Sequence, residues 1–280
     1  MRDALSGDSA IGDCRLVLSA AAVDEKQMAD PTLAPNAAFA LVLLVVTFAS
    51  AVKGALGFGF PLIAVPLSAN LIGTRTAVVL IAVSVVFSNF LILLRGGGTA
   101  AELRRFAGLL IGVIVGTVIG AQLLGRLDLG AVSMIVGITA LLVAGFGLVN
   151  RTPSFSPGAE QVAGPAVGLG AGLMGGITGI FAPLIAAYVQ SLKVEKRAFV
   201  FWLTAAFFLG GAVQVISYYG LGLYNKTVLL YAAATFVPVV VGTRIGFWIQ
   251  DRLPWELFRR LVLLLVLAVS LRLIWSGVGR

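Results

Sequence analysis

Histidine is absent from this 280-residue sequence, cysteine occurs once, and only 11% of the residues carry charge. With no histidine, and with Cys14 in a polar N-terminal stretch, the apolar part of the chain holds no His/Cys metal site, no catalytic dyad and no disulfide framework. All twelve Asp and Glu lie in the N-terminal stretch, in connections or near the ends of apolar runs, and none lies mid-run. A Gly-x-x-x-x-Gly-Lys-Ser/Thr loop is also missing, as is a polar domain to hold one. These absences argue against an enzyme and against a nucleotide-driven motor in this chain, and no cofactor is expected.

Hydrophobic residues make up 59% of the sequence and the mean hydropathy is +1.04, more than a water-surrounded surface can carry. Lipid is the solvent this composition requires. The formal net charge of +8 does not point to nucleic acid, because the basic residues are scattered one or two at a time between apolar runs. That distribution is a topology signal.

Residues 1–36 differ from the rest, with Asp3, Asp8, Asp13, Asp24, Glu25 and Asp30 and no long apolar core, and read as a polar, disordered tail. A start of translation at Met28 is the alternative. The long apolar runs then cover 37–56, 75–94, 106–124, 130–149, 162–180, 198–217, 227–249 and 256–275. Each approaches the roughly 20 residues needed to cross about 30 Å of hydrocarbon. Two shorter runs, 61–72 and 183–192, each begin at a proline after a glycine-rich break and read as half-helices. Residues 150–161, with Pro153 and Pro157, read as the linker between a first repeat over 37–149 and a second over 162–280.

The repeat rests on position-by-position identity. Gly54, Gly57, Pro61-Leu62-Ile63-Ala64 and Arg75 recur 122 positions later as Gly176, Gly179, Pro183-Leu184-Ile185-Ala186 and Arg197. Gly116-Thr117-x-Ile119-Gly120 with Arg126-Leu127 recurs 126 positions later as Gly242-Thr243-x-Ile245-Gly246 with Arg252-Leu253. Counting each short run as a crossing gives five per half, and an odd number inserts the second copy upside down. The predicted fold is therefore an all-α polytopic membrane protein of two inverted repeats, each of four long helices plus a short half-helix after a Gly-rich break. The connections holding Arg95, Arg104, Arg105, Arg151, Lys193, Lys196, Arg197, Arg252, Arg259 and Arg260 fall on one side by this count, which the positive-inside rule makes cytoplasmic.

Irregular backbone at membrane depth is tolerated only where protein or a water-filled cavity satisfies it. The two breaks, Lys53-Gly54-Ala55-Leu56-Gly57-Phe58-Gly59-Phe60-Pro61 and Gly175-Gly176-Ile177-Thr178-Gly179-Ile180-Phe181-Ala182-Pro183, are thus the candidate site. A proline in the first turn starts each half-helix without losing an internal hydrogen bond, and inward-pointing N-termini offer free N–H groups and a positive dipole end to an anion. The candidate substrate-binding residues are Lys53, Gly54, Gly57, Gly59 and Pro61 from the first break, and Gly176, Thr178, Gly179 and Pro183 from the second. Arg244, a cation inside the run 227–249, and Gln214 join them. Asn89, Gln122, Gln214, Thr178 and Thr243 either hydrogen-bond an oxyanion or tie two helices together. Gly108, Gly112, Gly116 and Gly120, spaced by four, form a stripe suited to close helix packing.

Lys53-Gly-Ala-Leu-Gly-Phe-Gly-Phe-Pro-Leu-Ile-Ala-Val-Pro and Gly168-Leu-Gly-Ala-Gly-Leu-Met-Gly-Gly-Ile-Thr-Gly-Ile-Phe-Ala-Pro, with the repeated architecture over 37–275, resemble the sulfite exporter TauE/SafE family. The resemblance implies a membrane carrier for sulfite, organosulfonates or related organic anions. The expectation is a secondary transporter working by alternating access in the inner membrane; an intramembrane accessory subunit or enzyme, or a passive anion channel, is the alternative. Its partners are a small anion and the bilayer, not nucleic acid, with a homodimer as the assembly to test. Without carboxylates in the spans, the expected driving forces are the anion gradient, the membrane potential or exchange, with no obligatory sodium, although carbonyls freed at the breaks remain able to bind it.

Overall fold

The computed structural model describes residues 35–56, 59–94, 99–148, 157–192 and 194–250, with single positions in the last apolar run at 264, 267, 268, 271, 274 and 275. The polar tail up to residue 34, Gly57, residues 150–156 of the linker and most of the run 256–275 lie outside the described residues, while residues 157–161, read as linker, already form the start of a helix. What is described is helical, with no strand among those residues. The helices of the first half are α1 (Pro35–Leu56), α2 (Phe60–Ile72), α3 (Thr74–Leu93), α4 (Ala100–Arg126) and α5 (Leu129–Leu148). Those of the second are α6 (Pro157–Thr178), α7 (Ala182–Ser191), α8 (Lys196–Gly220), α9 (Lys226–Ala234) and α10 (Phe236–Gln250).

Five stretches are long and apolar enough to cross a membrane: Ala37–Ala55, Thr74–Leu93, Arg104–Arg126, Ala198–Gly220 and Lys226–Ile249. A 20-residue helix spans about 30 Å, the thickness of the hydrocarbon core. Large apolar side chains left on the outside, such as Leu44, Ile111, Ile216 and Val237, therefore face lipid. This is a polytopic helical membrane protein.

Local chemistry explains where the helices start and stop. Gly59 adopts φ 98° and hands the chain to α2, whose first turn contains Pro61. Gly73, at φ 82°, ends α2, its N–H donating to the Ala69 carbonyl at 3.1 Å. The Asn225 side chain accepts from the Val228 N–H at 2.8 Å and caps α9. One feature departs from the sequence reading: the run 227–249 is not one continuous helix but breaks at Thr235. Pro238 is the cause, since its ring displaces the carbonyl four residues back and its nitrogen cannot close the helical bond. The Thr235 hydroxyl donates to the Ala232 carbonyl at 2.6 Å and accepts from Ser84 on α3 at 2.6 Å, which pins the break in the bundle.

The two halves pack reciprocally. The most extensive helix pairs are α4 on α6 and α1 on α10, so in each half the run that follows the third helix (α4, and α10 of the broken run α9–α10) lies on the first helix of the other; α3 and α8, the third helix of each, pack together. The α4–α6 seam is backbone on backbone. A β-carbon on Gly112 or Gly116 would run into the carbonyl oxygens of Pro165 and Leu169, and one on Gly176 would come within 2.6 Å of the Thr117 oxygen. The α1–α10 seam repeats the pattern: a β-carbon on Gly54 would lie 2.6 Å from the Thr243 oxygen, and Gly246 abuts the Ala51 oxygen. Gly54 and Gly176, spaced by 122, and Gly116, Thr117 and Gly120 with Gly242, Thr243 and Gly246, spaced by 126, are thus contact residues of two equivalent seams.

Candidate functional site

Lys53 stands in the last turn of α1, on a helix whose other members at this depth are Ala, Val, Ser and Gly. It is only 4% exposed. Its ammonium donates to Oδ1 of Asn89, itself buried on α3. Among the described residues that is its one hydrogen-bond partner, and no carboxylate is paired with it. A buried ammonium that keeps two of its three donors unused is costly unless something negative completes it. The amide nitrogen of Asn89 is likewise buried and has no partner among the described residues.

Both groups line one small cavity, whose walls are Lys53, Gly59, Phe60, Pro61, Val85, Asn89, Phe181, Ala182 and Phe207. Its free volume is about 10 Å³, the space of a single water molecule. Two of its walls are the N-terminal turns of α2 (Gly59, Phe60, Pro61) and of α7 (Ala182, preceded by Phe181). The amides of a first helical turn have no acceptor within the helix, and Pro61 and Pro183 carry no N–H to compete. An ammonium, a free amide NH₂ and two helix N-termini therefore meet around one point, with no acid among the walls. Phe60, Phe181 and Phe207 form its apolar walls. Such a donor-lined cavity has the polarity that suits an anion.

The other sequence-derived candidates have separate places. Gly54 and Gly176 lie in the two helix seams, and Gly57 is outside the described residues. Gly179, at φ 76°, forms the turn of the second break, where its N–H donates to the Gly175 carbonyl at 2.7 Å. The Thr178 hydroxyl donates to the Met174 carbonyl at 2.7 Å and accepts the Ile180 N–H at 3.1 Å, so it shapes the break. Pro183 is the second residue of α7, beside the cavity wall. Gln214, fully buried on α8, donates through Nε2 to the Gly175 carbonyl at 2.8 Å and to the Tyr218 hydroxyl at 2.7 Å; Tyr218 in turn donates to the Gly176 carbonyl at 2.6 Å. These two side chains hold the end of α6. Arg244 lies on the exposed face of α10 and does not line the cavity. Arg75 caps the end of α4 by donating to the Leu127 carbonyl.

Two wall residues had no sequence signal as site members. Phe207 and Val85 are apolar residues inside long apolar runs, and nothing distinguishes them from lipid-facing neighbours. Phe181 sits in the second break, where its ring fills the space a side chain at Gly175 or Gly210 would need.

The family model described as Sulfite exporter TauE/SafE matches residues 42–273 of the chain. No curated protein and no solved structure matches it significantly.

Proposed function

Because the chain belongs to the sulfite exporter TauE/SafE family, a family of membrane transporters for sulfite and related anions, we propose that it is a secondary carrier of the inner membrane that holds its anion at Lys53. The observation that carries this reading is the buried Lys53 ammonium, unpaired with any carboxylate and facing the first turns of α2 and α7. An anionic oxygen about 4 Å from it gains roughly 4 kcal/mol at an effective dielectric of 20. Asn89 supplies a directed N–H, and each helix end adds on the order of 0.3 to 2 kcal/mol.

The same electrostatics supports alternating access. Loaded, the site is a neutral pair that closes without leaving a charge unmatched; empty, it closes around an ammonium with one neutral partner. Closure is therefore favoured with anion bound, which suits exchange or gradient-driven carriage better than an open pore. The reciprocal seams α4–α6 and α1–α10 support two repeats of opposite membrane orientation. The test is titration of sulfite, small organosulfonates and carboxylates into purified protein, followed by counterflow in liposomes. Saturable binding of at least one of these, lost on Lys53→Met, is the expected result; binding unchanged by that substitution overturns the site.

A further inference from the structure

The second break ends in a group of buried oxygens that the anion site does not use. We propose that these oxygens bind a small alkali cation, sodium, at the C-terminal end of α6; the inference extends the carrier reading above by adding a bound cation, at carbonyls of the kind the sequence left able to bind sodium. Its members are the side-chain oxygens of Thr117 on α4 and Gln214 on α8, the Tyr218 hydroxyl, and the Gly176 carbonyl.

The register of the helices brings them together. Phe106 stacks on Trp202 with ring centroids 4.9 Å apart, and a β-carbon on Gly210 would lie 3.0 Å from Val113. Moving from the first contact to the second advances both α4 and α8 toward their C-termini, so the two run side by side in the same direction. One turn further on, Thr117 and Gln214 share a level. Both adjoin the same backbone: Gly176 packs against the Thr117 carbonyl, and Gln214 donates to the carbonyl of Gly175.

The lone pairs can be counted. The Gly175 carbonyl is saturated by the Gly179 N–H and Gln214 Nε2. Among the described residues the Gly176 carbonyl accepts only from Tyr218, and the Tyr218 oxygen only from Gln214, which leaves each one lone pair. Gln214 Oε1 and Thr117 Oγ1 are fully buried and have no partner among the described residues. Four oxygens with unused lone pairs thus border the negative end of the α6 dipole. None is a carboxylate, and a divalent ion prefers carboxylate ligands, so the charge this group matches is a single positive one.

The repeat sharpens the case. The residue 122 positions before Gly175 is Lys53. The first break carries its own ammonium at the place where the second has a glycine and a group of oxygens, so the positive charge at the second break is left to an exchangeable ion. Unwound carbonyls and helix C-terminal ends hold sodium in carriers of this general construction.

The experiment is thermal unfolding of the purified protein, without any anionic substrate, in sodium, lithium, potassium or choline chloride at equal ionic strength. Sodium is expected to raise Tm over choline in a saturable way. Thr117→Val keeps the side-chain shape and is expected to weaken the sodium effect about tenfold in concentration, whereas Thr117→Ser retains it. Equal Tm in all four salts overturns the proposal, as does a sodium effect untouched by both Thr117→Val and Gln214→Met. Sulfite binding, measured separately, distinguishes failure of this site from failure of the Lys53 site.

Discussion

The two breaks have nearly the same sequence scaffold and different chemistry. Each has a glycine in a helix seam (Gly54, Gly176), a glycine with positive φ (Gly59 at 98°, Gly179 at 76°) and a proline opening a short helix (Pro61, Pro183). The first adds Lys53 and its partner Asn89 on α3; the second has Gly175 and the side chains of Gln214 and Tyr218, which hold the last carbonyls of α6. What the halves share builds the frame, and what they do not share is the charge placed at each break.

The largest expected effect comes from erasing the difference in charge. Lys53→Met is expected to lower affinity for the transported anion on the order of 100-fold or more by calorimetric titration. Its Tm is expected to stay level or rise, because an apolar side chain of similar length replaces a buried ammonium with one neutral partner. A fall in Tm with unchanged affinity would make Lys53 a structural residue and the breaks equivalent. Asn89→Asp attacks the same point from the other side, since a carboxylate beside Lys53 supplies internally what the anion supplies. Loss of anion binding with a folded protein is expected, and binding as tight as the parent's would remove the pair from the site.

Smaller effects test what the breaks have in common. At Gly59 and Gly179 there is space for a side chain but the backbone is left-handed, so Gly59→Ala and Gly179→Ala are expected to cost a similar 1–2 kcal/mol each by thermal unfolding. Transport is expected to slow in both, and a tenfold difference between the two rates would show that the breaks do not move alike. The smallest effect is expected at Arg244, which lies on the outside of α10. Arg244→Ala should leave affinity within about twofold, as Arg244 does not line the cavity.

The frame was legible because its signals are local. Apolar runs of membrane length, prolines after glycines and a spacing of 122 residues mark the helices, the breaks and the seams without any knowledge of contacts. Lys53 and Asn89 were visible as polar groups in apolar surroundings. Their pairing was not, since it joins α1 to α3 across 36 residues of sequence. Arg244 shows the opposite error: a charge inside an apolar run looks buried until the helix is rotated into place, and α10 turns it outward. Gln214 was legible as a buried polar side chain, whereas the carbonyl it satisfies belongs to Gly175 on α6, 39 residues earlier. Phe207 carried no mark at all, because aromatic residues that line a cavity and those that face lipid have the same composition.

The seams have a mechanical consequence. Where glycine puts backbone against backbone, as at Gly116 on Leu169 and Gly246 on Ala51, there are no long side chains to re-pack, and the paired helices behave as one bar. Since each bar takes one helix from each half, the chain is interlaced like clasped fingers. On the carrier reading, the units expected to move are therefore not the segments 37–149 and 162–280 but the α1–α10 and α4–α6 bars, on either side of the α3–α8 contact. The parts repeat along the sequence, and the joints run across the boundary between the repeats.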